Sequence, residues 1–184
     1  MKLTDDFLPV GCKARIGTAL DVVLALVVHY PGKPNQRAKE VRDYWAGSDN
    51  KESASAHAVI DLDGSILQTL PWYEYAAAVG STQVDQASGR IYTDQAREVF
   101  GNYASNPLHK SPNRVSISVE FCHVDNLGTM TPETLAAAVE LFAMLAKKYS
   151  LNPRTRILRH WDVVGWKKCP LWFVEHTNDF ITFR

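Results

Sequence analysis

The chain has 184 residues, 46% hydrophobic and 22% charged, with 20 basic and 20 acidic side chains and a formal net charge of +0. That length suits one sizeable core and is too short for two comfortable ones, so a single domain over residues 1–184 is expected. Balanced charge excludes a global pull toward nucleic acid or an anionic membrane, and no stretch is apolar for long enough to span a bilayer.

Residues 1–20 read as a lead-in punctuated by Pro9, Gly11 and Gly17. With Asp5, Asp6 and no long apolar run before Leu20, they do not form a secretory signal. Synthesis in the cytoplasm is expected, with any extracellular target reached after lysis or export by another route. Val22-Val23-Leu24-Ala25-Leu26-Val27-Val28-His29 is nearly continuous apolar sequence, rich in branched side chains, and suits a strand covered on both faces. An imidazole closes it just before Tyr30-Pro31-Gly32. Asn35 is placed to cap a helix with Ala38, Val41, Tyr44 and Trp45 at helical spacing, stopped by Gly47. Ala56 to Ile60 and Ser65 to Leu70, joined through Asp63-Gly64, read as a hairpin ended by Pro71.

Residues 80–113 are irregular, with Gly80, Gly89, Gly101, Asn106-Pro107 and Ser111-Pro112-Asn113, and only Thr93 to Phe100 looks helical. A segment of this kind serves a binding or lid role, or is a tolerated surface insertion. From Arg114 to Phe121 the chain alternates: Val115, Ile117, Val119 and Phe121 on one face, Ser116, Ser118 and Glu120 on the other. Burying an acid beside two hydroxyls is costly, so the second face is expected to floor a polar cleft, with Glu120 its most reactive member. Thr131-Pro132-Glu133 opens a helix whose buried face is marked by Leu135, Ala138, Val139, Phe142, Leu145, Ala146 and Tyr149. Asn152-Pro153 closes it, and Trp172 to Phe180 reads as a last short helix.

Between them, Ile157-Leu158 looks like the end of a strand and leads into Arg159-His160-Trp161-Asp162-Val163-Val164-Gly165-Trp166-Lys167-Lys168-Cys169-Pro170. Few structural loops need a histidine, a carboxylate, two lysines and a cysteine together. The cysteines are Cys12, Cys122 and Cys169, an odd count that argues against a pure disulfide framework and leaves the Cys169 thiol free. Cys122 reads as inert, and His109 and His176 as surface or loop residues. His57 is a cleft wall or a packed polar group.

If the strands carrying His29, Glu120 and His160 lie side by side, one site can form. Zinc held by His29, His160 and Cys169 would keep a fourth position open, as a hydrolase requires. Glu120 would take a proton from the attacking water, and Lys167 would stabilise an oxyanion or protonate a leaving nitrogen. Taken alone, His29 reads first as a satisfied histidine. A nucleophilic Cys169–His160 pair, its thiol acidified by Lys167 and Lys168, is the chemical rival.

As an ordered set these segments resemble the zinc-dependent type-2 N-acetylmuramoyl-L-alanine amidase family, which includes phage lysozyme-like amidases and peptidoglycan recognition proteins. Leu26-Val27-Val28-His29-Tyr30 resembles the first ligand-bearing strand. Ser55 to Ile60 with Asp63-Gly64 and Ile66-Leu67-Gln68 resembles the hairpin. Ser111-Pro112-Asn113 through Ser118-Val119-Glu120-Phe121-Cys122 resembles the catalytic-glutamate segment, and Arg159 to Val163 with Lys167 and Cys169-Pro170 the closing motif. The resemblance covers most of Ala14 to Val174. It implies an α/β fold with a mixed central sheet flanked by helices, zinc at His29, His160 and Cys169, and catalytic roles for Glu120 and Lys167. The implied reaction cuts the amide between N-acetylmuramic acid and L-alanine in bacterial peptidoglycan, as an endolysin or autolysin. A monomer is expected, with no nucleic acid or membrane partner. The alternative is a non-catalytic peptidoglycan-binding protein on the same scaffold.

Three positions depart from the family pattern. Ala56 stands where many relatives carry a bulky aromatic. Ala77-Ala78-Val79-Gly80 stands where a Trp-His pair often precedes glycine, and the stretch after Gly80 is a candidate replacement wall. The closing motif is one residue longer, with Trp166 the extra, so Lys168 competes with Lys167 for the catalytic role.

Overall fold

The computed structural model describes residues 2–50, 53–105 and 111–184; Asn106-Pro107 and His109 lie outside them. Six strands form one mixed sheet in the order β1-β4-β3-β5-β2-β6. They are β1 (Lys2–Asp5), β2 (Ala25–His29), β3 (Ala58–Ile60), β4 (Ser65–Gln68), β5 (Ser116–Phe121) and β6 (Ile157–Arg159). The β3–β4 hairpin is antiparallel and every other pairing is parallel. The expected hairpin therefore forms, with Gly64 in its turn at φ 76.

β2 is fully buried along its length, as its branched apolar run requires when helices cover both faces. It starts later than the apolar run suggests: Val22 is exposed, and Asp21 hydrogen-bonds through its N–H to the Arg114 carbonyl at 2.9 Å. The lead-in also holds a strand that its composition does not announce. β1 lies parallel to β4 at the sheet edge, Lys2 opposite Ser65 and Asp5 opposite Gln68.

On one face Leu26, Val28, Ile117, Val119 and Phe121 pack against α3 (Pro132–Lys148) and the C-terminal pair α6 (Leu171–Glu175) and α7 (Thr177–Phe183). Thr131 caps α3 by accepting from the Thr134 N–H. Most of the expected α3 stripe is buried, Ala138, Phe142, Leu145 and Ala146 with Leu141 beside them; Thr134 and Ala137 join it, while Val139 is half exposed. Thr134 anchors the start of α3 to the sheet, its hydroxyl donating to the Asp61 carbonyl at 2.9 Å. The expected last helix is two helices, broken at His176.

On the other face Ala25, Val27 and Leu158 meet α2 (Asp94–Phe100) and α5 (His160–Val164) through Ala96, Phe100, Val163 and Val164. The helix expected over Thr93 to Phe100 is therefore a core layer. It belongs neither to a lid nor to a surface insertion. Val115 joins this second cluster, against the expected alternation, because its ψ of 17 lies outside the extended range and β5 begins only at Ser116. α1 (Ala38–Ala46) covers the β3 end with Ala38, Val41 and Trp45, leaving Tyr44 exposed. Its N-cap is Arg37, whose N–H donates to Glu40 at 2.7 Å; Asn35, at φ 59, donates instead to the His123 carbonyl at 2.7 Å.

Asn113 ties down the segment Ala78-Val79-Gly80. Its Oδ1 accepts from the N–H groups of Ala78 (3.2 Å), Val79 (2.7 Å) and Gly80 (2.8 Å). A Cβ on Gly80 would stand 2.4 Å from Ser111 Oγ and 2.6 Å from Asn113 Nδ2, so only glycine fits. Among the described residues no helix is long and apolar enough to cross a membrane.

Candidate metal centre

β5, β2 and β6 are adjacent, so the three strand ends deliver Glu120, His29 and His160 to one place. Ligands collect at the carboxyl ends of parallel strands because the backbone there is fixed while the side chains reach a crevice. His29 pairs in register with Glu120, and Arg159, the residue before His160, is in register with Val28. α5 starts at His160 because the Asp162 carboxylate accepts the Arg159 N–H at 2.8 Å and the Arg159 guanidinium at 2.6 Å. That guanidinium is anchored in turn on the Phe173 carbonyl. Cys169 is brought back by its carbonyl, which accepts the Trp161 N–H at 2.9 Å.

His29, His160 and Cys169 are all buried, and their ligand atoms lie within 4.8 Å of one another. His29 Nδ1 stands 3.1 Å from His160 Nδ1 and 4.0 Å from Cys169 Sγ. Tetrahedral nitrogen and sulfur donors on one zinc ion sit about 3.3–3.7 Å apart, so this set fits zinc with small adjustment. Two imidazoles and a thiol are also the donor types zinc prefers. Burial holds His29 well below the ordinary imidazole value, with His160 and Lys167 adding to the effect. Burial and then Lys167 bring His160 down to about 3. Both rings are thus neutral at physiological pH, the form that binds a metal.

Cys169 lies in the opposite condition. Burial, reinforced by Glu120, pushes its thiol up to about 12, against Lys167 and a backbone hydrogen bond from Tyr30. Without a cation it is a protonated thiol, which leaves the Cys169–His160 nucleophile pair without its thiolate. A bound divalent cation inverts that balance, because a coordinating thiol is deprotonated outright.

Glu120 and Lys167 both line the adjoining cleft of 370 Å³, together with Tyr30, Pro31, Gly32, Lys33, Gln36, Val41, Tyr44 and Trp45. Burial pushes the Glu120 carboxyl up to about 7, against the pull of Lys167, and its Oε2 is buried without a hydrogen-bond partner. Orphaned buried carboxylate oxygens are costly and mark functional positions. The two lysines separate cleanly: Lys168 Nζ is bound to Glu175 Oε1 at 2.6 Å, outside the cleft. Trp166 packs against the second core.

Ser116 and Ser118 do not floor the cleft. Both are buried: the Ser116 hydroxyl donates to the Pro112 carbonyl at 2.8 Å, and the Ser118 N–H donates to His57 Nδ1 at 3.1 Å. His57 is therefore a packed polar group, its Nε2 on the Glu74 carbonyl at 2.8 Å. Ala56 is fully buried, and no described residue after Gly80 up to Arg114 lines the cleft beside Glu120, so that stretch is not its replacement wall. The wall comes from the loop after His29 and from α1. Its sequence signal is Tyr30-Pro31-Gly32-Lys33-Pro34 after the strand-end His29, together with Tyr44, an aromatic on the open side of an amphipathic helix.

A family model described as N-acetylmuramoyl-L-alanine amidase matches residues 20–172. The chain is 31% identical over 187 residues to N-acetylmuramoyl-L-alanine amidase CwlL of Bacillus licheniformis, covering 100% of this chain and 46% of that protein. It is 29% identical over 181 residues to N-acetylmuramoyl-L-alanine amidase BlyA of Bacillus subtilis (strain 168), covering 98% of this chain and 45% of that protein. The chain thus spans about half the length of the curated relatives it matches. Among solved structures, the catalytic domain of XlyA superposes with a TM-score of 0.72 at 20% identity, covering 100% of this chain and 99% of that one, a likeness of fold.

Proposed function

Since the chain belongs to the N-acetylmuramoyl-L-alanine amidase family, we propose that it is a zinc-dependent hydrolase of the amide joining N-acetylmuramic acid to L-alanine in bacterial peptidoglycan. The observation that carries this is the orphaned Glu120 carboxylate opening on the same cleft as Lys167, beside the convergent His29, His160 and Cys169. A protein that only bound the wall would have no use for an unpartnered buried acid whose proton exchanges near neutrality.

His29 and His160, neutral, and Cys169, ionised on binding, would hold the metal through Nδ1, Nδ1 and Sγ. Zinc bound there supplies Lewis acidity, polarising the scissile carbonyl and lowering the pKa of water. Glu120, with its carboxyl near 7, accepts a proton from the attacking water and returns it to the leaving nitrogen of L-alanine. Lys167 places a positive charge at the cleft wall, where the carbonyl oxygen gains negative charge. Tyr44 and Trp45 give the cleft an apolar side for the sugar or peptide. The proposal extends to a monomeric wall-lytic enzyme, endolysin or autolysin, made in the cytoplasm and delivered to the wall by lysis or export.

The test is digestion of purified peptidoglycan by zinc-loaded and zinc-stripped protein, with fragments identified by mass spectrometry. Zinc-dependent release of intact stem peptides with free L-alanine amines, and no new reducing sugars, is the expected result. Tight wall binding without cleavage across several wall types would overturn it in favour of a binding protein.

A further inference from the structure

The cleft has one cation that the chemistry above leaves without a task. Lys33 is exposed, lines the cleft, and its ammonium has no ion-pair partner among the described residues. With Lys167 it makes two cleft-lining ammoniums against a single carboxylate, Glu120, in a chain whose overall charge is balanced. A cleft lined by one sign of charge concentrates ligands of the other sign.

The loop that carries Lys33 is held at both ends by one buried residue. His123 Nε2 lies 2.8 Å from the Pro31 carbonyl, and the His123 carbonyl accepts the Asn35 N–H at 2.7 Å. The other ring nitrogen, Nδ1, faces the Asp125 carbonyl at 2.7 Å, so the ring N–H has a backbone acceptor on either side. Lys33 sits midway between the two anchors. A flexible ammonium on a fixed backbone reaches over a defined part of the cleft, so it can select for charge at one place along a bound chain.

We propose that Lys33 is a specificity-determining residue that binds a free carboxylate of the peptide attached to the scissile amide, so that this cleft prefers acidic stem peptides over amidated ones. The inference rests on the amidase reading and deepens it by naming the substrate's charge class. An exposed ion pair of this kind contributes roughly a two- to fivefold preference at low salt, and less as salt screens it.

The probes are two muramyl dipeptides whose second residue has its γ-carboxyl blocked as an N-methylamide, one with a free α-carboxylate and one with an α-carboxamide. The ratio of kcat/KM between them, acid over amide, is measured for the zinc-loaded wild type and for Lys33→Gln, Lys33→Glu and Lys33→Arg. The expected ratio is above one in the wild type, lower by about two- to fivefold in Lys33→Gln through KM, inverted in Lys33→Glu and largely restored in Lys33→Arg. Equal ratios in the wild type, Lys33→Gln and Lys33→Glu, with cleavage intact, would overturn the role of Lys33 and leave the amidase reading standing. If the wild type cleaves neither compound, its action on purified peptidoglycan decides whether the amidase reading fails. Calorimetric binding of the same pair then decides: a preference for the acid that Lys33→Gln loses supports Lys33, and equal binding overturns it.

Discussion

His29 and Glu120 are register partners on neighbouring parallel strands, so a metal-ligand candidate and an acid stand side by side on the same face of the sheet. Pleating sends in-register side chains of paired strands the same way, and the next strand, β6, adds His160 from the other side of His29. The placement is set by backbone hydrogen bonds, not by side-chain packing. Substitution at Glu120 can therefore remove the chemistry while leaving the ligand geometry in place.

Glu120→Gln keeps the side-chain volume and removes the proton acceptor. The expected outcome is a loss of about 10²–10⁴-fold in kcat, with zinc content by elemental analysis near the wild-type value. Near-normal turnover would remove Glu120 from the mechanism.

Cys169→Ser replaces a soft sulfur with a hydroxyl that zinc binds poorly at neutral pH. The wild-type protein, with metal at a hundredfold excess over its dissociation constant, gains about 2.7 kcal/mol from binding. For a chain of this size that corresponds to a rise of roughly 5–10 °C in Tm, abolished by chelator. Cys169→Ser should show neither the rise nor the chelator effect. A serine variant with full zinc occupancy would mean that the third ligand lies elsewhere.

Much of this site was legible because its residues end apolar runs. His29 closes a run of branched side chains, Glu120 sits in an alternating strand and His160 follows Ile157-Leu158, and a strand end is where a polar side chain can escape the core. The sequence pattern did not reveal which polar residues on the β5 face reach the cleft. Ser116 and Ser118 share the orientation of Glu120, but both are buried, the Ser116 hydroxyl donating to the Pro112 carbonyl and the Ser118 backbone N–H to His57 Nδ1, so that end of the face closes over. β1 was equally hidden, since a short edge strand with charged ends has no hydrophobic periodicity to show. That Lys167 lines the cleft while Lys168 pairs with Glu175 outside it depends on how the chain turns after Gly165, which spacing alone cannot reveal.

Acid should weaken the metal-free fold, and His57 supplies a separable share. Burial holds its ring at about 4 against an ordinary 6.5. A depressed folded value contributes stability that is fully present above pH 6.5 and is lost as pH falls toward 4, on the order of 3 kcal/mol in all. His29 and His160 act in the same direction, while Glu120, raised from 4.5 to about 7, acts in the opposite one. Glutamine at position 57 can donate to the Glu74 carbonyl and accept from the Ser118 N–H without titrating. Urea midpoints of chelator-treated wild type and His57→Gln should therefore converge as pH drops from 7 to 4. Parallel profiles would show that His57 does not titrate on unfolding.

Asn113 offers a test of the fold that leaves the chemistry alone. Its side chain serves three backbone N–H groups, of which the one on Val79 is buried, and it donates from Nδ2 to the Tyr75 hydroxyl at 3.1 Å. Truncation to alanine orphans those donors. Water can reach Ala78 and Gly80 but not Val79, so the cost is about 2–3 kcal/mol, a fall of roughly 5–10 °C in Tm. Asn113→Asp keeps the acceptor and loses only the donor to Tyr75, so its fall should be clearly smaller. The residue 78–80 segment does not line the cleft beside Glu120. Zinc content and kcat measured well below the transition should therefore stay near wild type in both variants. An alanine variant that melts within about 1 °C of wild type would mean that the segment is held by its flanking contacts and that the Asn113 side chain is dispensable.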